Sequence, residues 1–145
     1  MPAISSVLEA DHRRADALFD SAVRAAEQED WGECQIQFDS FVAALKHHMQ
    51  IEEVVLFPAF EQASGMLQGP TEVMRREHQE MLALLEEMAG LLEDRNANDF
   101  RTLAQAFAQI MNAHSMKEER VLYPMCDRLM PDFDTDQFGL TLTER

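Results

Sequence analysis

The sequence predicts an all-α fold, an up-down-up-down four-helix bundle built from two helical hairpins related by a pseudo-twofold. Three observations predict it. Apolar residues recur at helical spacing in four long segments, and no alternating strand pattern competes with them. Short polar turns separate the segments, as a bundle requires. The second half of the chain also repeats the first at a fixed offset.

The first helix is expected to open at Ser6, where Glu9 completes a capping box, and to run to about Glu29 through Leu8, Ala15, Leu18, Phe19, Ala22, Val23 and Ala26. Asp30 opens the second helix, with Glu33 in the matching position. That helix continues through Ile36, Phe38, Phe41, Ala44, Leu45 and Ile51 to about Ala63, and Ser64-Gly65 stops it. Gly69-Pro70 starts the third, since proline at a first helical position forfeits no intrahelical bond. Its buried face is Met74, Met81, Leu82, Leu85, Met88 and Leu92. Asn98 or Asp99 caps the fourth, which passes Leu103, Ala106, Phe107, Ile110 and Met111 and ends near Met130, before Pro131. Residues 1–131 are expected to form the bundle. The tail 132–145 shows no period, and packing across the bundle end is its expected place. Pro58 and Pro124 fall inside the second and fourth helices and should kink them, because each lacks an N–H.

A chain of 145 residues is one domain's worth, and its 46% apolar and 27% charged residues suit a globular protein. Acidic side chains outnumber basic ones 27 to 12, for a formal charge of −15. Such a field repels polyanions, so nucleic acid and anionic membranes are poor partners. The N-terminus has neither the basic nor the apolar stretch of a secretory signal, and no apolar run reaches the ~20 residues of a membrane-spanning helix. The expected address is cytoplasmic. Cys34 and Cys126 should stand ~39 Å apart along the bundle, from 1.5 Å per helical residue, which excludes a disulfide between them.

Adding 66 to a position carries His12 onto His78, His48 onto His114, Glu52 onto Glu118, Glu53 onto Glu119, Phe57 onto Tyr123 and Pro58 onto Pro124. His12 and His48 are equidistant from Asp30, and His78 and His114 are equidistant from Asn96. In an antiparallel hairpin all four imidazoles then share one level. Glu52 and Glu118 follow one turn later, ~6 Å along the axis, on the same faces as His48 and His114. Those faces are apolar, running through Phe41, Leu45, Ile51 and Val55 in one helix and Phe107, Ile110, Met111, Val121 and Leu122 in the other. Buried carboxylates and imidazoles cost several kcal/mol for each charge left unpaired. A dinuclear metal site removes that cost, because imidazole nitrogens ligate and carboxylates bridge. The candidate ligands are His12, His48, Glu52, His78, His114 and Glu118.

His12, His48-x-x-x-Glu52, His78 and His114-x-x-x-Glu118, each half continuing as Glu-Glu-x-x-Leu-Phe/Tyr-Pro, resemble the hemerythrin-like (HHE cation-binding) family over roughly residues 5–130. The resemblance implies a non-haem centre of two iron ions, bridged by Glu52, Glu118 and an oxo or hydroxo group. One iron would take His12 and His48 and the other His78 and His114, or the pairs would cross between hairpins. Manganese or zinc could substitute, since these ligands do not select among the three. Oxygen-carrying members have a second histidine four residues after the third-helix histidine, and their last carboxylate is an aspartate. Here those positions are Leu82 and Glu118. The pattern is nearer the di-iron domain of bacterial iron–sulfur-cluster repair proteins, which answer nitric oxide and oxidative stress and carry a further cysteine-bearing domain. The expected function is a di-iron protein that senses or handles O₂, peroxide or nitric oxide, its small diatomic or peroxide ligand reaching the metals through an apolar wall. The alternatives are a non-enzymatic module that stores, donates or senses iron, and a bundle held by a structural metal. No catalytic acid or base independent of the ligands can be named.

Neighbouring residues have plainer expectations. His47 lies ~100° around the helix from His48 and is read as a surface or boundary residue. Glu53 and Glu119 are read as solvated or salt-bridged, with contact to a ligand imidazole as the lesser reading. Tyr123 is read chiefly as core packing, with a hydroxyl able to reach the metals. Glu9-x-x-His12 has the spacing of ferritin-like sites, but position 75 is Arg75, so that reading is rejected.

Overall fold

A computed structural model describes residues 2–140. They form an all-helical fold with four long helical rods, and no strand occurs among the described residues. The first rod is α1 (Ile4–Glu27). The second is α2 (Trp31–Ile51), a π-helical turn (Glu52–Leu56) and α3 (Phe57–Ser64) in unbroken succession. The third is α4 (Pro70–Glu93). The fourth repeats the second as α5 (Ala97–Lys117), a π turn (Glu118–Leu122) and α6 (Tyr123–Leu129).

The helix ends follow local chemistry. Asp30 caps α2 by accepting the Glu33 N–H, and Gly65 ends α3 in the left-handed region at φ 74°. Pro70 begins α4 as expected. Two ends differ from the expectation. Asn96, the repeat counterpart of Asp30, caps α5 by accepting the Asp99 N–H, in place of Asn98 or Asp99. The first helix starts at Ile4 with no side-chain cap, so the Ser6–Glu9 box does not form. Ser5 instead ties this end to α6 by donating to Asp127 Oδ2 at 2.6 Å.

Ahead of each proline the backbone makes a π turn. In each π turn a backbone N–H, from Phe57 or Tyr123, bonds a carbonyl five residues back, on Glu52 or Glu118. Pro58 and Pro124 then stand in the first turn of the following helical segment. The wider turn re-phases the rod. It buries Leu56, Phe57 and Phe60 together and turns Val54 and Val121 outward. Val121 therefore leaves the buried stripe to which the periodicity assigns it. Ile36 and Ile110, at the edges of their stripes, are exposed as well.

Two apolar clusters fill the interior. One holds Phe19, Phe38, Phe41, Phe100 and Phe107 with the methionines Met49, Met81, Met88 and Met111. The other holds Ile4, Leu8, Leu56, Phe57, Phe60, Tyr123 and Phe138. Phe138, on a 3₁₀ turn (Thr135–Phe138), brings part of the tail onto this end of the molecule. Residues 141–145 of the tail lie outside the described residues. Cys34 and Cys126 are free, fully buried and in different clusters. No helix among the described residues is long and apolar enough to cross a membrane.

Candidate metal centre

The six candidate ligands come together between the two clusters. Glu52, His78 and Glu118 are wholly inaccessible to solvent, and His12, His48 and His114 nearly so. The His12 and His48 rings lie 4.5 Å apart and those of His78 and His114 lie 4.8 Å apart, so each pair belongs to one half of the repeat. Two sets each bring one ligand atom per residue within 4.8 Å of one another: His12, His48, Glu52 and Glu118, and Glu52, His78, His114 and Glu118. Both carboxylates are common to both sets, and the histidines divide by half of the repeat rather than crossing.

The approach repeats with the sequence. His12 Nε2 stands 3.0 Å from Glu118 Oε1, and His78 Nε2 stands 3.1 Å from Glu52 Oε1. His48 Nε2 is 3.4 Å from Glu52 Oε2, and His114 Nε2 is 3.3 Å from Glu118 Oε2. Several of these atoms are close without being bonded. Glu52 Oε1, His78 Nε2 and Glu118 Oε2 are fully buried and have no hydrogen-bond partner among the described residues. Orphaned buried polar atoms are costly and uncommon. Three of them aimed at the space between four imidazoles suit a cation, because each has a lone pair to offer it. Oxygen and imidazole donors suit iron, manganese or zinc.

Every outward nitrogen has a carboxylate. His48 Nδ1–H donates to Asp11 at 2.8 Å, and His114 Nδ1–H donates to Glu77 at 2.8 Å. His12 Nδ1–H donates to Glu119 at 2.7 Å, and His78 Nδ1–H donates to Glu53 at 2.6 Å. Such partners fix the tautomer of a neutral imidazole, which leaves Nε2 as the nitrogen able to offer its lone pair to a metal. The lesser reading of Glu53 and Glu119, contact to a ligand imidazole, is thus observed for both, and Glu119 is also salt-bridged, to Arg13 at 2.7 Å. Asp11 and Glu77 were missed by sequence reasoning, although they precede His12 and His78 at the same 66-residue offset, a signal that could have found them. His47 is exposed, as expected.

Tyr123 also stands in the site. Its hydroxyl donates to Glu52 Oε2 at 2.6 Å and lies 3.1 Å from Glu118 Oε1, 3.2 Å from His48 Nε2 and 3.3 Å from His12 Nε2. Burial and the two carboxylates push the phenol well above its ordinary pKa, so it is a neutral donor. Burial alone would push Glu52 up and His48 down. Their attraction, with the hydrogen bonds around them, reverses both: Glu52 is held well below the usual carboxylate range and His48 well above its ordinary value. For His114, burial pulls the value down, but Glu118, Glu52 and Glu77 together outweigh it and raise the imidazole to about 9.

Comparison with known proteins agrees with the geometry. Residues 3–126 match the family model described as "Hemerythrin HHE cation binding domain". A curated protein of Edwardsiella ictaluri, "Iron-sulfur cluster repair protein YtfE", is 31% identical over 97 residues, 61% of this chain and 44% of that protein. A Nostoc protein named "DNA nickase" is 26% identical over 136 residues, 94% of this chain and 37% of that protein. The chain thus spans less than half the length of these relatives. No solved structure matches it.

Proposed function

The chain belongs to the hemerythrin HHE cation-binding domain family, and from that premise we propose that it is a non-haem di-iron protein that senses or handles O₂, peroxide or nitric oxide in oxidative or nitrosative stress. The observation that carries this reading is the pair of four-residue sets sharing Glu52 and Glu118, with buried lone pairs aimed between them. His12 and His48 would hold one ion, His78 and His114 the other, and the two glutamates would bridge. The same reading arranges the rods up-down-up-down as two pseudo-twofold hairpins. Its support is that the histidine rings meet at positions equidistant from the caps Asp30 and Asn96. A cytoplasmic address is proposed with it, on the support of two free, buried thiols. The stress role rests on the repair-protein relative, whose full activity belongs to a longer chain.

When bound, two iron ions supply redox and Lewis-acid chemistry toward a small oxygen- or nitrogen-centred ligand. The chain's own residues do the rest. Asp11, Glu53, Glu77 and Glu119 orient the imidazoles by accepting from Nδ1. Met49, Met81 and Met111 wall the site on one side and Phe57 on the other, restricting bulk water. Tyr123 holds its proton on the hydroxyl beside Glu52, within reach of any group seated near His12 and His48.

The test is metal content by plasma mass spectrometry, on protein produced with iron and purified anaerobically. About two irons per chain, the nuclearity of two-metal sites, is the expected result. One or none in a folded protein would sink the di-iron reading.

A further inference from the structure

Two grooves flank the centre, one between α1 and α5 and one between α2 and α4, and the 66-residue offset maps one onto the other. The geometry points to the α1/α5 groove as the path by which a small uncharged ligand of diatomic size enters, with Asp16 and Ser115 as the residues that keep it open. The inference rests on the reading of the six residues as a metal centre.

A cavity of ≈ 10 Å³ lies directly against the four imidazoles, and Asp16, Met111 and Ser115 form one of its walls. The same three residues line an outer cavity of ≈ 240 Å³ between α1 and α5, together with the exposed Arg13 and Asn112. Inner cavity and surface groove therefore share a wall. The α2/α4 groove is larger, ≈ 670 Å³, with Phe38, Val42, Leu82 and Leu85 among its lining residues, yet none of its lining residues borders the inner cavity. The repeat explains the difference. The counterpart of Ser115 is Met49 and that of Asp16 is Leu82. A long thioether and a branched alkyl group stand where the open side has a hydroxymethyl and a short carboxylate.

Size and charge select the ligand. An inner space of ≈ 10 Å³ is about one water-sized probe, enough for a diatomic and too little for a substituted peroxide. At the mouth Asp16 is paired with Arg13 at 3.3 Å and Asp20 adds a further negative charge, so on a chain of net charge −15 anions are disfavoured and neutral molecules are unhindered.

The probe is nitric oxide, mixed with anaerobic ferrous protein in a stopped-flow spectrometer. Ser115→Met, which installs the residue of the closed side, should slow association about tenfold or more with iron content at the wild-type value. Asp16→Cys gives an independent arm that does not load the core. After folding and iron loading, alkyl methanethiosulfonates of increasing length should slow nitric oxide in proportion to their length. Cys34 and Cys126 are buried, with thiols pushed up to about 11 and about 12, so the reagents spare them. Association at the wild-type rate in the iron-loaded Ser115→Met protein and in the labelled Asp16→Cys protein would overturn the path and leave the metal reading standing. Absence of iron from the wild-type protein would overturn both.

Discussion

Tyr123 and Phe57 occupy equivalent places in the repeat and do opposite things. The Tyr123 hydroxyl donates to Glu52 at 2.6 Å beside His12 and His48, whereas the Phe57 ring stacks on His78 at 5.9 Å and 19° and offers no polar atom. Six residues related by the 66-residue repeat therefore make two positions that are not alike. A cation entering between His12 and His48 must displace contacts that the other position lacks.

Wild-type protein should accordingly take up metal in two resolved steps, the His78/His114 position first. A hydrogen bond to a charged group contributes ~1.5–3 kcal/mol, so the steps should differ about tenfold or more in affinity. Tyr123→Phe should bring them together without changing the final metal content. Cobalt titration followed by visible absorption reads both steps. A single step in the wild type, unchanged in the variant, would show that the hydroxyl does not distinguish the positions.

Glu52→Ala and Glu118→Ala test the sharing of carboxylates. Each glutamate serves both sets, so each substitution should cost one metal outright and weaken the other, leaving at most one ion per chain. Removing one partner of a buried charged pair costs ~3–5 kcal/mol, so the metal-free variants should also melt lower than metal-free wild type. Metal analysis and calorimetry on the same samples separate the two effects. Two tightly held ions in Glu52→Ala would refute the bridging assignment.

Much of this centre was legible because the repeat is gapless. An offset of 66 aligned His12 with His78 and Glu52 with Glu118, and the distance from Asp30 and Asn96 set the histidines at one height. What stayed hidden followed from treating neighbours one at a time. Glu53 and Glu119 point away from the glutamates beside them, and an isolated helix surface gives no reason to prefer an imidazole on another rod to solvent. Asp11 has the same difficulty, since its partner His48 is far away in sequence. The π turns were hidden for a different reason. Proline marks a lost hydrogen bond, but whether the backbone kinks or inserts a wider turn depends on what the following residues must bury. Here Leu56, Phe57 and Phe60 decide it.

The protonation pattern predicts the alkaline behaviour of the metal-free protein. His48 and His114 titrate above their ordinary value when folded, His114 at about 9. A raised folded value stabilises the fold below the unfolded value of ~6.5 and is lost as pH rises through the folded one. Chelated protein should therefore lose thermal stability between pH 7 and pH ~9.5. Metal takes the place of those protons, so the loaded protein should change little over that range, and loading at pH 7.5 should release protons to a weakly buffered indicator dye. Equal melting shifts in the two forms, with no proton release, would contradict this assignment of charge.

Glu53 and Glu119 give the sharpest comparison across the repeat. Each accepts the Nδ1–H of a histidine from the other half, but Glu119 also accepts from Arg13 at 2.7 Å while Glu53 is shared with no cation among the described residues. Glu53→Gln and Glu119→Gln should each lower metal affinity about 10- to 100-fold, the usual cost of removing such a partner, while leaving the helices intact. The guanidinium draws charge from Glu119, which weakens its pull on the His12 proton and leaves less to lose. The Glu53→Gln loss should therefore be the larger, and it should fall on the His78/His114 position. Removing the guanidinium with Arg13→Met should strengthen the other position slightly, since Arg13 itself is largely exposed. Competition against a chromophoric chelator, read for each variant, measures all three. Equal losses from Glu53→Gln and Glu119→Gln, with Arg13→Met silent, would mean that the carboxylates act only through geometry and that their charge is irrelevant to the metal.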